Sequence, residues 1–238
     1  METNEFSQTG DKAPVSRRHA LTRLASGILV LTSVRAGALE RLEKPGAFAE
    51  ALARTAPVEE GPFYPIKLPL DTDNDLLIIN NSMTSAVGAV TYLSGRLLDE
   101  KGNPIKNAVI EIWETDNTGV YLKDRPNQTH YDANFQGFGR FLTGASGEYY
   151  FRTIKPVRYP GRQAPHIHFK IFVKGREPWT TQLYIKGHPG NARDFVYQQI
   201  GDAKACATVT IDFAPVKNST LGELAARFDI IMGFTQKV

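Results

Sequence analysis

Two histidines, His166 and His168, stand two residues apart in the segment HIHFKIF, residues 166–172. Alternate residues of a β-strand project to the same face, so both imidazoles would face one space and Ile167 the other. Imidazole is a common transition-metal ligand, and such a pair could supply half of a metal site. Without further donors, the pair is more simply interpreted as two polar residues on a surface strand.

Two of the tyrosines that precede this pair, Tyr121 and Tyr159, are considered as further donors. Tyr159 lies seven residues before His166, and Pro160 biases its backbone toward an extended conformation that suits a side chain presented from a loop. Tyr121 follows a turn at Gly119. Taken alone, Tyr121 is more simply interpreted as a packing residue than as a ligand.

Short strands separated by turns are predicted to position these residues. With 20 Gly and 14 Pro among 238 residues, the chain suits a turn-rich β protein. The pattern favours an all-β fold with an antiparallel β-sandwich core, a short helical N-terminal arm and irregular loops. The predicted strands are 109–115 (half-buried by its alternation), 148–154, 166–174, 181–186 and 207–213.

The remaining segments complete the predicted organisation. Residues 39–87 are predicted to form a helix, within 39–56, followed by a Pro-rich extended arm. Residues 88–238 would form the sandwich domain, with one short helix within 217–233.

The first 38 residues are predicted to be an export signal. Adjacent Arg17 and Arg18 precede a modest apolar run, which ends near Ala36 and Ala38. This order resembles a twin-arginine signal and predicts a periplasmic or exported protein. The run is interrupted by Arg23 and is too weak for a stable membrane span of about 20 residues. The alternative is an ordinary amphipathic N-terminal helix.

Composition narrows the ligand classes. The net charge is only +3, and no basic cluster interleaved with aromatic residues points to nucleic acid. Cys206 is the one cysteine, which excludes an intrachain disulfide and a cysteine-based zinc site. Its strand-like surroundings predict a small buried side chain. A neutral or weakly anionic small molecule is the favoured ligand, and a homodimer is the assembly we expect.

Longer stretches of the sequence resemble the intradiol ring-cleaving dioxygenases, the catechol and protocatechuate class of non-haem iron(III) enzymes. The matching segments are GPFYP (61–65), GRLLDEKGNPIKNAVIEIWETDNTGVY (95–121), DANFQGFGRFLT (132–143), GEYYFRTIKPVRYP (147–160), PHIHF (165–169) and TQLY (181–184). They span roughly residues 60 to 190, and the tyrosines and histidines stand in the family's order within them.

The resemblance implies iron(III) held by four side chains, which are those of Tyr121, Tyr159, His166 and His168. A phenol with a pKa of about 10 becomes a good ligand once a trivalent cation favours the phenolate. The implied reaction is cleavage of a catechol by dioxygen between its two hydroxylated carbons, giving a muconate-type diacid. Tyr159 is implied to leave the metal and take up a substrate proton.

Three further positions follow from the resemblance. Gln182, in TQLY, is implied to face the reacting atoms, and Tyr64, on the arm, to line the substrate pocket. The family usually carries an arginine three residues before the first histidine, where this chain has Gln163. Arg162, one residue earlier, reaches the same place only if the loop is shifted.

Other functions remain open from the sequence. The same chemistry could act on hydroxyquinol or a lignin-derived diphenol. An exported β-sandwich that binds a metal or a catechol without turnover is the alternative outside enzymes, because the displaced arginine weakens compensation of a bound dianion.

Overall fold

The computed structural model describes residues 52–235. The proposed export signal and residues 39–51 of the N-terminal helix lie outside this range, and residues 52–56 are not helical. In the described part, the strands are β1 (Val90–Leu98), β2 (Val109–Trp113), β3 (Phe138–Leu142), β4 (Glu148–Ile154), β5 (His166–Phe172), β6 (Trp179–Ile185), β7 (Thr210–Ile211), β8 (Phe213–Pro215), β9 (Leu224–Arg227) and β10 (Ile230–Ile231). The helices are α1 (Phe195–Gln199), α2 (Ala203–Ala207) and the 3-10 helices Leu122–Asn127 and Asn191–Arg193.

The strands form two five-stranded sheets. In the first, β1 pairs antiparallel with β4 and parallel with β9 and β10, and β8 pairs with β9. The second has the order β3-β2-β5-β6-β7, in which only the β6–β7 pairing is parallel. The fold is thus mainly β, but both sheets are mixed rather than antiparallel. Parallel neighbours need a crossover, and the segment carrying α1 and α2 supplies one between β6 and β7.

The core lies between the two sheets. Leu93 and Phe151 of the first sheet belong to the same buried cluster as Ile110 and Phe169 of the second. The rings of Tyr149, on β4, and Phe169, on β5, are 6.1 Å apart. Burying each such side chain is worth about 1.5–3 kcal/mol, so this layer fixes both sheets.

Strand β2 is buried on both faces, which corrects the prediction of a half-buried strand. Ile110 and Ile112 face the core, whereas Glu111 and Trp113 are also buried. The outer face is covered by Tyr64 from the extended arm, whose ring is 5.1 Å from that of Trp113. Polar-apolar alternation therefore does not mark an exposed face here.

Three predictions near the C-terminus are wrong wholly or in part. The predicted strand 207–213 is right only in part: Ala207 is the last residue of helix α2, Thr210–Ile211 joins the second sheet as β7, and Phe213 begins β8 of the first sheet. Cys206 therefore lies in a helix and is only partly buried. The helix predicted within 217–233 is replaced by β9 and β10, because pairing with the distant strand β1 overrides local helix propensity.

No helix of residues 52–235 has the length and apolar character to cross a lipid bilayer.

Candidate metal centre

Strand β5 directs His166 and His168 to one face, and their Nε2 atoms are 3.2 Å apart. Ile167, between them, is buried in the core on the opposite face. Register with β6 places Tyr184 opposite His166 and Gln182 opposite His168. Four polar side chains from two adjacent strands thus share one face, as the two-residue period requires.

The surroundings of each histidine leave Nε2 directed at the centre. Nδ1 of His166 donates to the Ala164 carbonyl at 2.7 Å, which leaves Nε2 as the unprotonated nitrogen of a neutral ring. The His168 ring stacks on Trp113 at 4.7 Å. Burial, followed by the charge of Arg162, lowers the pKa of His166 to about 3. Burial also places the pKa of His168 well below its usual value.

Tyr121 is presented by a turn that follows β2. The Asp116 carboxylate accepts hydrogen bonds from the backbone N–H groups of Thr118 at 2.9 Å and Val120 at 3.1 Å. Gly119 adopts φ +85°, a left-handed conformation that disfavours other residues. The Tyr121 hydroxyl consequently lies 3.0 Å from Nε2 of His168 and 3.4 Å from Nε2 of His166.

Tyr159 begins a tight turn, Tyr159–Pro160–Gly161–Arg162, in which Arg162 N–H donates to the Tyr159 carbonyl at 3.2 Å. Proline at the second position and Gly161 at φ +94° are the signature of a type II turn. The Tyr159 ring centroid lies 5.0 Å from that of Tyr121 and 5.7 Å from that of His166. Burial raises the pKa of both phenols, so each is protonated unless a cation stabilises the phenolate.

The donor spacing fits a metal ion. Two ligands that are each about 2.1 Å from one ion are roughly 3.0–3.4 Å apart in octahedral or tetrahedral geometry. Tyr121 Oη and the two Nε2 atoms have separations of 3.0, 3.2 and 3.4 Å. Among residues 52–235, no group of three His, Cys, Asp or Glu residues could hold a metal. The donor set combines imidazole with phenol, which suits iron(III).

Arg162 reaches this centre although it stands one residue earlier than the family's usual arginine. Its side chain is buried, and Nη1 lies 3.4 Å from Nε2 of His166. Nη2 donates to the side-chain oxygens of Gln182 and Tyr184, both at 3.0 Å. The type II turn produces this position by folding Arg162 back over Tyr159. Gln163 instead points its side chain toward Arg158, 3.4 Å away, in an exposed contact.

Gln182 lies beside the centre with its amide engaged. The amide oxygen accepts from Arg162 Nη2 and, at 2.7 Å, from the Tyr184 hydroxyl. The amide nitrogen donates to the backbone carbonyl of Glu59 at 2.9 Å. Gln182 therefore ties the extended arm to Arg162. Tyr184 has a part in this network that the sequence reasoning missed, although it belongs to the TQLY motif.

Phe63, rather than Tyr64, is the residue of the extended arm whose ring contacts both Tyr121 and Tyr159. Phe63 stacks on Tyr121 with ring centroids 4.5 Å apart and meets Tyr159 edge-on at 5.5 Å. The Tyr64 hydroxyl instead donates to Glu111 at 2.7 Å. Contact of Tyr64 with a substrate stays a prediction. Phe63, its neighbour in GPFYP, was missed because an apolar residue of an arm carries no chemical signal.

Comparison with known proteins identifies the family. A dioxygenase family model matches residues 59–233. The β chain of protocatechuate 3,4-dioxygenase from Burkholderia cepacia is 34% identical over 173 residues, which are 69% of this chain and 72% of that one. The chain belongs to the intradiol ring-cleavage dioxygenase family.

Two other relatives are more distant. Catechol 1,2-dioxygenase 2 from Acinetobacter lwoffii is 27% identical, with matched segments of 66% of this chain and 60% of that one. Hydroxyquinol 1,2-dioxygenase from Corynebacterium glutamicum is also 27% identical, but the match spans only 45% of its length.

Solved structures agree with the fold. The dioxygenase domain of a carbohydrate-binding fusion protein from Streptomyces sp. SirexAA-E matches with a TM-score of 0.59 and 25% identity, over 77% of this chain and all of that one. An intradiol ring-cleavage dioxygenase from Tetranychus urticae gives a TM-score of 0.59 at 20% identity, over 79% and 98% of the two chains.

Proposed function

We propose that this chain is an iron(III) enzyme that cleaves a catechol-type aromatic with dioxygen between the two hydroxylated carbons. The observation that carries the proposal is the convergence of the Tyr121 hydroxyl with both histidine Nε2 atoms, within 3.4 Å, beside the Tyr159 ring. Bound by Tyr121, Tyr159, His166 and His168, iron(III) would act as the Lewis acid that binds both oxygens of the diol and oxidatively activates its ring.

The two tyrosines differ in a way that suits different tasks. Tyr121 is 2% exposed, its ring stacks on Phe63 and its hydroxyl contacts both histidines, so it is the fixed donor. Tyr159 is only partly buried and is carried by a four-residue turn, so its side chain can swing away. A released Tyr159 phenolate would accept one proton from the diol, as a general base does.

Arg162 supports an anionic substrate. Its guanidinium lies beside the donor atoms, with Nη1 3.4 Å from Nε2 of His166. A diol that loses its protons on binding develops negative charge in a buried site, where a fixed cation is most effective. Gln182 and Tyr184 hold the guanidinium in that orientation without adding charge.

Oxygen consumption tests the proposal. Iron-loaded protein should consume dioxygen with catechol, hydroxyquinol or protocatechuate and release a ring-opened diacid, identified by mass spectrometry. These three diols cover the substrates in the names of the relatives, and the ranking of their kcat/KM values would define the substrate. A diol-dependent spectral change with no oxygen uptake for any of them would overturn the enzyme proposal in favour of a binding protein.

We also propose that residues 1–38 direct export through the twin-arginine route and that the folded protein works in the periplasm or outside the cell. The support is the sequence alone, with Arg17 and Arg18 before the apolar run. Expression of the full chain and of an Arg17→Lys/Arg18→Lys variant, followed by cell fractionation, tests this. Equal retention of both in the cytoplasm would contradict the export proposal.

We also propose that the protein forms a homodimer. Light scattering, which measures the molar mass in solution, tests this.

A further inference from the structure

Asp194 is a buried carboxylate that lies behind Arg162. Its two oxygens are 3.0 and 2.9 Å from Nε of Arg162, and its exposure is 1%. The opposite edge of the guanidinium carries Nη1 and Nη2, which face His166 and the Gln182–Tyr184 pair. The Asp194 carboxylate therefore holds the Nε edge of the guanidinium, while Nη1 points toward the metal-ligand side chains.

The same carboxylate also fixes the segment that leads into β5. It accepts backbone N–H bonds from Gln163 at 2.9 Å and Ala164 at 3.1 Å, and it caps α1 through the N–H of Tyr197 at 3.1 Å. The carbonyl of Ala164, two residues before His166, orients that imidazole. One side chain thus sets the position of Arg162 and of the chain between the arginine and the first histidine.

We propose that Asp194 is the positioning residue that makes the displaced arginine usable, an inference that rests on the proposed function. Arg162 stands four residues before His166. Gln163 occupies the position three residues before His166, where the family usually has its arginine. The extra residue would carry the guanidinium away from the donor atoms if nothing held it. Asp194 holds it by charge-assisted hydrogen bonds in a buried site, where they are strongest. In this role Asp194 acts through Arg162 and touches neither metal nor substrate.

A helix cap would account for part of this arrangement, so a matched control is needed. Asp202 caps α2 in the same way, by accepting the N–H of Ala205 at 2.8 Å, but it is exposed. Asp194→Asn removes the charge opposed to Arg162 and keeps one side-chain oxygen, which can still accept the N–H groups of Gln163 and Ala164, whereas the cap bond from Tyr197 to the other oxygen is lost. Asp202→Asn makes the same chemical change at a cap without an arginine partner.

A double-mutant cycle tests whether Asp194 acts through Arg162. Asp194→Asn should retain iron at the wild-type ratio and lower kcat/KM by about 10–100-fold, the usual loss for a group that orients an active-site residue. In the Arg162→Met background the same change should cost less than about 2-fold, since the group it positions is gone. Asp202→Asn should leave kcat/KM unchanged. Equal losses with and without Arg162 would overturn the inference.

Crystal structures of the wild type and of Asp194→Asn provide a readout independent of turnover. The guanidinium of Arg162 should leave Gln182 and Tyr184 in the variant, whereas the backbone of residues 163–166 should remain in place. An unmoved guanidinium would refute the positioning role. If the wild type binds iron but cleaves no diol, the proposed function fails, and the position of Arg162 in the two structures still decides the role of Asp194.

Discussion

The Tyr121 hydroxyl lies 3.0 Å from Nε2 of His168, although the two residues are 47 positions apart. One belongs to a turn after β2 and the other to β5, and these strands are neighbours with Trp113 opposite His168. The two histidine Nε2 atoms are also 3.2 Å apart, so three donor atoms converge at the spacing of ligands that share one metal ion. The contact is the basis of the proposed metal centre.

Arg162 should matter more than Gln163, although the family's usual arginine aligns with Gln163. Arg162→Gln is expected to lower kcat/KM by about 10²–10³-fold, as loss of a preorganised charge-stabilising donor does. Gln163→Ala should change kcat/KM less than about 3-fold, because that side chain is exposed and its amide oxygen accepts from the exposed Arg158. Steady-state kinetics of the two variants decide this, and a larger loss for Gln163→Ala would show that the loop adopts another conformation.

Gly119 should be intolerant of a side chain because the two tyrosine loops meet there. A Cβ at this position would lie 3.0 Å from the Arg158 carbonyl oxygen and 3.4 Å from Cβ of Tyr159, at a φ of +85°. Gly119→Ala should reduce the free energy of unfolding by about 1–3 kcal/mol and weaken iron binding as well. Gly144→Ala is the control, since nothing lies within 4 Å of a Cβ there. Equal denaturation midpoints for both variants would contradict the packing of the loops.

The iron-free protein should lose stability as the pH falls below about 6. Burial and the nearby Arg162 lower the folded-state pKa of His166 to about 3, so the unfolded chain takes up a proton that the folded chain does not. The contribution of the neutral imidazole to the free energy of unfolding is fully present above the unfolded-state pKa of about 6.5. Below that pH it declines by up to about 1.4 kcal/mol per pH unit for each such imidazole. Urea denaturation at pH 7, 6 and 5 measures it. His166→Gln should have a shallower dependence, and a wild-type profile flat over this range would contradict the prediction.

Phe63 should influence the choice of substrate, whereas the Tyr64 hydroxyl should not. Phe63→Ala removes a ring that stacks on Tyr121, so kcat/KM for a bulky substituted catechol should rise relative to catechol itself. Tyr64→Phe should leave that ratio unchanged and cost about 1 kcal/mol of stability through the lost bond to Glu111. A change of preference in Tyr64→Phe, and none in Phe63→Ala, would reverse these assignments.

The sequence was informative where local pattern decides structure. Strand β4 matches its predicted bounds of 148–154, and HIHFKIF forms β5 with both histidines on one face. The assignment of Tyr121 and Tyr159 as metal ligands depends on the family's motifs, because local pattern alone favours a packing role for Tyr121. Nothing in the spacing of residues 121 and 159 indicates that a glycine lets their loops touch.

The errors concern interactions between distant segments. The parallel partners of β1 lie some 130 residues away in the chain, and the apolar pattern of residues 224–231 is compatible with a helix until that pairing is known. Asp194 illustrates the same limit for the site. It stands 32 residues after Arg162 at the start of a helix that was not predicted from the sequence, and only the folded chain brings it behind Arg162.

The visible spectrum of the iron-loaded protein tests the metal centre most directly. Tyrosinate bound to iron(III) should give a purple-red band, anaerobic catechol should shift it, and Tyr121→Phe should lose most of the iron while Cys206→Ser keeps both iron and colour. A colourless wild-type protein that retains zinc instead of iron, or a Tyr121→Phe variant with unaltered iron content and spectrum, would contradict the proposed set of ligands.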